Sequence, residues 1–276
     1  MSQPQPDSMR KLRLFARSPK GLMLWILVLL AAIALPTAGI ALALPKLLIA
    51  VAAAMAVDLT ASGMEPDRPG SFSSGVLTGL FVGLILSPVE PWYTVAIGAV
   101  VANGSKHVIR VQRWGVFNPA ALGLLVVALV FGSAESWWGS LPDLPVLLLP
   151  ILLVTGIFIA GRVNKLPLVL SFLAAYYLLF TAASYADNPA GVAEAFRPPY
   201  VNVALFFAFF MLTDPPTTPS RYPEQVTYGI LVALMSFVIQ QTIHPQYFLL
   251  AGLLIGNAGF AWWRTRTVRR VMPATP

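Results

Sequence analysis

Cysteine is absent from all 276 residues, and histidine occurs only twice, as His107 and His244. These gaps exclude disulfides, thiolate zinc sites, iron–sulfur clusters and a cysteine nucleophile, and they put a multi-histidine metal centre out of reach. Charge is scarce too: 11% of the residues are Asp, Glu, Lys or Arg, against about 25% in soluble domains. Apolar residues fill the gap, at 57% of the chain. That balance describes a polytopic membrane protein whose first partner is the lipid bilayer. Basic residues outnumber acidic ones 18 to 11, for a net charge of +7. In a membrane chain such a surplus records orientation rather than a nucleic-acid partner.

Arg10, Lys11, Arg13, Arg17 and Lys20 precede the first apolar run, 21–35. No small-residue cleavage site followed by soluble sequence comes after it, so the run reads as an uncleaved first helix. Pro36 and Gly39 break it, and a second segment covers 38–57. Eight more follow, at 72–86, 92–105, 118–132, 146–161, 166–185, 200–212, 226–240 and 245–263. Hydrocarbon offers backbone groups no water, so these ten segments are predicted to be helices. With the N-terminus in the cytoplasm and all ten crossing, sixteen of the eighteen basic residues fall on the cytoplasmic side. Arg197 falls outside and Lys46 lies within the second segment, near its outer end, where its stem can snorkel. The outer loops carry Glu90, Glu135, Asp143, Asp187 and Glu194. The expected arrangement is therefore a multi-pass protein of the plasma (inner) membrane with both termini cytoplasmic.

The segments divide into five plus five, with prolines at matching places. Segment three ends at Ser87-Pro88 and segment five opens at Asn118-Pro119; segment eight ends at Asp214-Pro215 and segment ten opens at His244-Pro245. Proline to proline, the spacing is 31 in one half and 30 in the other. Five crossings per half would invert the second copy, and such repeats usually place a site at the midplane between short helices. The segments at 72–86 and 200–212 are short against the roughly 20 residues of a full span. The predicted organisation is a basic tail at 1–20, a first five-helix repeat at 21–135, a second at 136–264, and a basic tail at 265–276.

Two Asn-Pro-Ala triplets, at Asn118 and Asn188, invite an aquaporin reading. The second lies in a polar outer loop with no arginine after it, and ten crossings are too many. Asn118 instead reads as a helix cap with proline in the first turn. Around it stand Asn103-Gly104-Ser105-Lys106-His107 and Phe117-Asn118-Pro119-Ala120. Together with Ser74-Gly75-Val76-Leu77-Thr78-Gly79, Phe209-Phe210-Met211-Leu212-Thr213-Asp214-Pro215 and an apolar last segment containing Asn257, the chain resembles the NqrB/RnfD family. These are membrane subunits of the sodium-pumping NADH:quinone reductase and of the Rnf electron-transport complex. The resemblance covers roughly residues 20 to 265.

The resemblance implies an all-α, urea-transporter-like fold of two inverted five-helix repeats, and a flavin. In the family an FMN is bonded through phosphate to threonine in an S-G-A-T sequence. This chain has none, and 132–145 holds no threonine. Any flavin, FMN or riboflavin, is expected to be non-covalent or supplied by a partner. The candidate contacts are Lys106, Asn118, Thr213, Asp214 and Asn257. Lys106 is a point charge that could meet a phosphate or a flavin N1–O2 edge, or an anchor on the cytoplasmic side. Asp214 could accept a proton or cap a helix, and the asparagines could bind a ligand or only fix helix packing. His107 and His244 fall on opposite sides of the membrane, which excludes a two-histidine haem. Trp137, Trp138, Trp262 and Trp263 fit an interfacial belt. Tyr176, Tyr177, Phe206, Phe207, Phe209 and Phe210 could stack on a flavin or quinone, or simply pack.

The expected function is electron transfer between a cytoplasmic donor and a membrane or extracytoplasmic acceptor, as a redox subunit rather than a self-contained enzyme. Partner subunits would supply the reducing equivalents. The basic stretch 106–113 and the arginine-rich C-terminus could dock an acidic redox partner or touch anionic lipid. The alternatives are a transporter or channel for a small neutral or flavin-like solute, and a scaffold subunit without a ligand. Orientation can be checked directly, because there is no native cysteine to interfere. Asp143→Cys is expected to react with a membrane-impermeant maleimide in intact cells, and Arg162→Cys only after permeabilisation.

Overall fold

The computed structural model describes residues 13–64, 72–111, 114–187, 192–193, 196–243 and 245–271. Arg10, Lys11, Arg68, Arg113, the Asn188 triplet, Glu194 and His244 lie outside these residues. From Pro19 onward the described residues form ten α-helices: α1 Pro19–Ala38, α2 Ile40–Met64, α3 Phe72–Ile85, α4 Trp92–Val108, α5 Pro119–Phe131, α6 Leu149–Arg162, α7 Leu166–Asp187, α8 Tyr200–Phe206, α9 Tyr222–Ile243 and α10 Phe248–Val271. Helix α8 continues through one π-helical stretch, Phe207–Met211. A two-stranded hairpin, β1 (Arg110–Val111) and β2 (Trp114–Gly115), follows α4. Four helices, α1, α2, α7 and α9, are long and apolar enough to cross a membrane, while Pro119–Phe131 and Tyr200–Met211 are among the shorter apolar ones. The chain is an all-α membrane protein.

Local chemistry sets several of the helix ends. Ser18 caps α1 by accepting the Gly21 N–H at 3.1 Å, with Pro19 in the first turn. Asn118 caps α5 by accepting the Ala121 N–H at 3.0 Å, and Pro119 opens it, as its sequence predicts. Gly132, with φ 65°, ends α5 in the left-handed region. Pro36 does not break the first helix, contrary to expectation: it lies inside α1. The break falls at Gly39, whose φ of 84° few other residues adopt. Helix α2 likewise carries Pro45 and continues to Met64, beyond the expected end near 57.

Helices pack through small residues, which let backbones approach closely where lipid gives no hydrophobic drive for association. Helix α3 lies on α2, and a Cβ at Gly79 would stand 2.5 Å from the Val51 Cα. Helix α5 lies on α4, and a Cβ at Gly123 would stand 2.3 Å from the Gly98 carbonyl oxygen. Helix α4 also packs on α2; in the second half α9 packs on α7 and α10 on α9, with Gly252 against Ser236. Helices α5 and α10 join the halves on one side, and α1 and α6 on another.

The segment joining the two halves is a structural strap. Ser136 and Trp137 N–H both donate to the Ile85 carbonyl at 3.0 Å, and Ser87 N–H donates to Ala134 O at 3.0 Å, so the strap covers the end of α3. The Glu90 carboxylate accepts the Ala134 N–H at 2.8 Å. Trp137 and Trp138 are buried rather than part of a lipid-facing belt: the Trp138 indole donates to Gly83 O at 2.7 Å, and Trp137 packs edge-on against Phe206 and Phe207. Their position at a segment end suggested the membrane interface, but the strap folds back over the end of α3 and buries both rings. Trp262 and Trp263 remain exposed and keep the belt reading.

Two glycines of one helix pair make a controlled test. Gly123→Ala should lower the melting temperature, since overpacking costs about 1–3 kcal/mol. Gly104→Ala, in the same helix layer with nothing within 4 Å of the added carbon, should raise it slightly, by about 0.5–1 kcal/mol of helix preference. Thermal unfolding in detergent reads both.

Candidate functional site

The polar residues singled out from the sequence fall into two separate hydrogen-bonded networks. The larger joins the two halves where α5 begins, α8 ends and α10 passes. Asn257, fully buried on α10, accepts the Asn118 backbone N–H at 2.9 Å. Its amide donates to the Tyr228 hydroxyl at 2.7 Å and to the Thr217 carbonyl at 3.2 Å. The Asn118 amide in turn donates to the Met211 carbonyl, the last residue of the π-helical stretch, at 3.1 Å. The Thr213 hydroxyl is turned back to Phe209 O at 2.7 Å. Asp214 accepts from the Thr217 hydroxyl at 2.9 Å, and its carbonyl accepts from the Thr218 hydroxyl at 2.7 Å. Asn118, Thr213, Asp214 and Asn257 therefore lie around one junction.

Lys165 reaches the same loop from the start of α7. It is buried, and its ammonium donates to the Thr218 carbonyl at 3.3 Å and to the Pro219 carbonyl. Burial pulls its pKa down to about 8, with the Asp214 carboxylate acting in the opposite direction. Burial pushes the Asp214 carboxyl up, while the Thr217 hydrogen bond and the charges of Lys20 and Lys165 oppose that rise. A lysine and an aspartate that both resist ionising thus meet at one loop on the predicted cytoplasmic side.

Lys106 belongs to the second network, where α2, α3 and α4 meet. Its ammonium lies 2.7 Å from Asp58 Oδ1 and donates to Ser74 Oγ at 3.0 Å. Asp58 is buried, and it also meets His107 Nε2 at 3.0 Å. Nearby, the Asn103 amide donates to Ala54 O at 2.6 Å. Lys106 is therefore not a loose interfacial charge. It pairs with a buried carboxylate between the helices. Lys46, expected to snorkel, instead donates to the Glu90 carbonyl beyond the end of α3.

Sequence reasoning missed Asp58, Lys165 and Tyr228. Asp58 left a readable signal, a single carboxylate directly after the apolar run 38–57 with Lys106 and His107 at the end of another helix. Lys165 counted only as an orientation charge, and nothing in the pattern singled out Tyr228. The aromatic residues weighed for stacking form a packed cluster instead. Phe172 meets Phe207 at 5.3 Å and Tyr176 meets Phe180 at 4.4 Å between ring centroids, while Phe206 and Phe210 lie 5.2 Å apart.

A flavin fits poorly on the five residues assigned to it. The amides of Asn118 and Asn257, the Thr213 hydroxyl and the Lys106 ammonium all have protein partners, and Asp214 is bonded to Thr217. No group of three or more metal-ligating side chains occurs among the described residues.

Residues 145–258 match the NQR2, RnfD, RnfE family. That range takes in Lys165, Thr213, Asp214 and Asn257, and it leaves Lys106 and Asn118 outside. The chain is also similar to a subunit of the ion-translocating oxidoreductase complex of Yersinia enterocolitica, at 35% identity over 78 residues, which is 26% of this chain and 20% of that protein. The equivalent proteins of Yersinia pseudotuberculosis and Yersinia pestis match to the same extent. The similar stretch thus spans a fifth of the length of these relatives. The family resemblance read from the motifs is borne out in the second half of the chain.

The junction network predicts a stability effect. Asn257→Leu leaves the Asn118 N–H, the Thr217 carbonyl and the Tyr228 hydroxyl without their partner. Each buried group left unpaired costs on the order of 1–3 kcal/mol. Thermal unfolding should therefore show a large loss for Asn257→Leu and a smaller one for Tyr228→Phe, which removes a single acceptor.

Proposed function

From the match of residues 145–258 to the NQR2, RnfD, RnfE family, we propose that this chain is a membrane subunit of an electron-transfer complex. In this reading it passes reducing equivalents from a cytoplasmic donor subunit toward an acceptor in or across the membrane. The family match is the observation that carries it. The ten helices are read as ten crossings of the plasma membrane in two inverted five-helix repeats, with both termini cytoplasmic.

Two structural features support the repeat. The packing order recurs, since α2, α4 and α5 pair in sequence as α7, α9 and α10 do. A lysine at the start of the second helix of each half also holds the loop beyond that half's short third helix. Lys46 donates to the Glu90 carbonyl after α3, and Lys165 donates to the Thr218 and Pro219 carbonyls after α8. In the proposed orientation the first clamp is extracytoplasmic and the second cytoplasmic, as inversion requires.

The cofactor in this proposal is a non-covalent flavin, FMN or riboflavin. The reading puts the flavin in the central cleft between the halves, where the residues first assigned to it would have to give up protein partners to hold it. The absence of an S-G-A-T sequence supports non-covalent binding. It equally favours the rival, a transporter for a small neutral or flavin-like solute. An absorption spectrum of the complex purified through this chain, before and after acid precipitation, separates the cases. Flavin that washes free into the supernatant is the expected result. Flavin retained on this chain's pellet would reveal an attachment site, and a colourless complex that takes up no added flavin would favour the transporter.

A further inference from the structure

Helix α10 leaves one stripe uncovered. Ile255, Gly259, Trp262 and Arg266 follow one another at spacings of four, three and four residues, which puts them on a single face. All four are exposed, Ile255 by 49% and Trp262 by 57%. A Cβ at Gly259 would meet nothing within 4 Å, so the stripe is open at its middle. Arg266 stands 18 residues beyond Phe248, where α10 begins. At a rise of 1.5 Å per residue that is about 27 Å along the axis, close to the roughly 30 Å of a hydrocarbon core. The stripe therefore starts among acyl chains at Ile255 and reaches the headgroup level at Arg266.

Two guanidiniums sit on aromatic rings at that level. The Arg266 guanidinium carbon lies 3.8 Å from the centroid of the Trp262 ring. A guanidinium held through its face keeps its five N–H donors in its own plane, directed past the ring. Arg264 lies 5.5 Å from the Trp114 ring centroid and 5.9 Å from that of Phe260. Among the described residues neither guanidinium pairs with a carboxylate. A pre-set planar fork with unfilled donors suits a phosphate, which accepts two parallel N–H bonds from it.

We propose that this stripe of α10 binds an anionic phospholipid. Its phosphate takes the Arg266 donors, and Arg264 adds a second positive charge. The Trp262 indole meets the glycerol region, and one acyl chain lies along Gly259 and Ile255. Continuity of the stripe decides the occupant. An acidic soluble protein could reach the arginines, but Gly259 and Ile255 lie at a depth that only lipid covers. A phospholipid alone carries the charge and the hydrocarbon in the order in which the stripe presents their partners. In the proposed orientation it belongs to the inner leaflet, where anionic headgroups favour basic residues. The inference rests on this geometry and holds whether or not the chain transfers electrons.

The test is native mass spectrometry of the full chain, released from detergent micelles holding equal amounts of phosphatidylglycerol and phosphatidylcholine with the same acyl chains. The chain is expected to retain phosphatidylglycerol several-fold more often than phosphatidylcholine. Arg266→Gln should abolish the preference, and Trp262→Leu, which removes the platform beneath the guanidinium, should reduce it several-fold. Arg162→Gln removes an exposed arginine at the end of α6 and should leave the preference intact. Equal retention of the two lipids by the unaltered chain would overturn the inference, as would a preference that survives Arg266→Gln. An equal loss in Arg162→Gln would do so too, because net charge rather than this stripe would then set the preference. Displacement of phosphatidylglycerol by inorganic phosphate or by a polyglutamate peptide would assign the arginines to a free anion or an acidic protein instead.

Discussion

A helix that stops short inside hydrocarbon leaves carbonyls and N–H groups that no water can reach, and the protein itself must supply partners for them. Helices α3 and α8 are both short and their ends are covered by protein, and much of the remaining structure supplies partners to the groups there. At the end of α3, the strap between the halves donates two N–H groups to Ile85 and one to Glu90. The Lys46 ammonium takes the Glu90 carbonyl. At the end of α8, Asn118 takes the Met211 carbonyl, and Asn257 and Lys165 take carbonyls of the loop that follows. Partners are thus drawn from distant parts of the chain, so each short helix also fixes the relative placement of the helices that cover it.

The same constraint governs charge. A carboxylate within the bundle is stable only when paired and hydrogen-bonded. Asp58 meets Lys106 and His107 together. Asp214 and Lys165 are held less directly, through Thr217 and through backbone carbonyls, and burial pushes each toward its neutral form. On the other face, the Glu135 carboxyl is pushed up to about 8 by burial, against the hydrogen bond from the Trp137 indole. Groups able to change protonation state near neutral pH therefore occur at both predicted faces of the membrane.

Much of the architecture was legible in the sequence because membrane helices are written in local composition. The ten apolar segments correspond one to one with α1–α10, and the Asn118 cap and the two short helices lie where punctuation placed them. The misreadings share one cause. Pro36 and the Trp137–Trp138 pair were interpreted from linear position, whereas helix continuity and the covering of the end of α3 depend on neighbours far away in the chain. The Lys106–Asp58 pair is similar, because 48 residues separate its members and no periodicity links them.

Composition and charge order by themselves determined that this chain is a multi-pass helical membrane protein and where most of its helices begin and end to within a few residues, and its short motifs carried the family resemblance. Those properties depend on interactions of each residue with solvent, lipid and its nearest neighbours along the chain. Only the tertiary structure decided that Asn118, Asp214 and Asn257 share a junction while Lys106 serves Asp58 elsewhere. It alone decided which nitrogen of His107 faces Arg110. Hydrogen bonds act over about 3 Å and on specific lone pairs, so they become determinate only when packing brings distant segments into register.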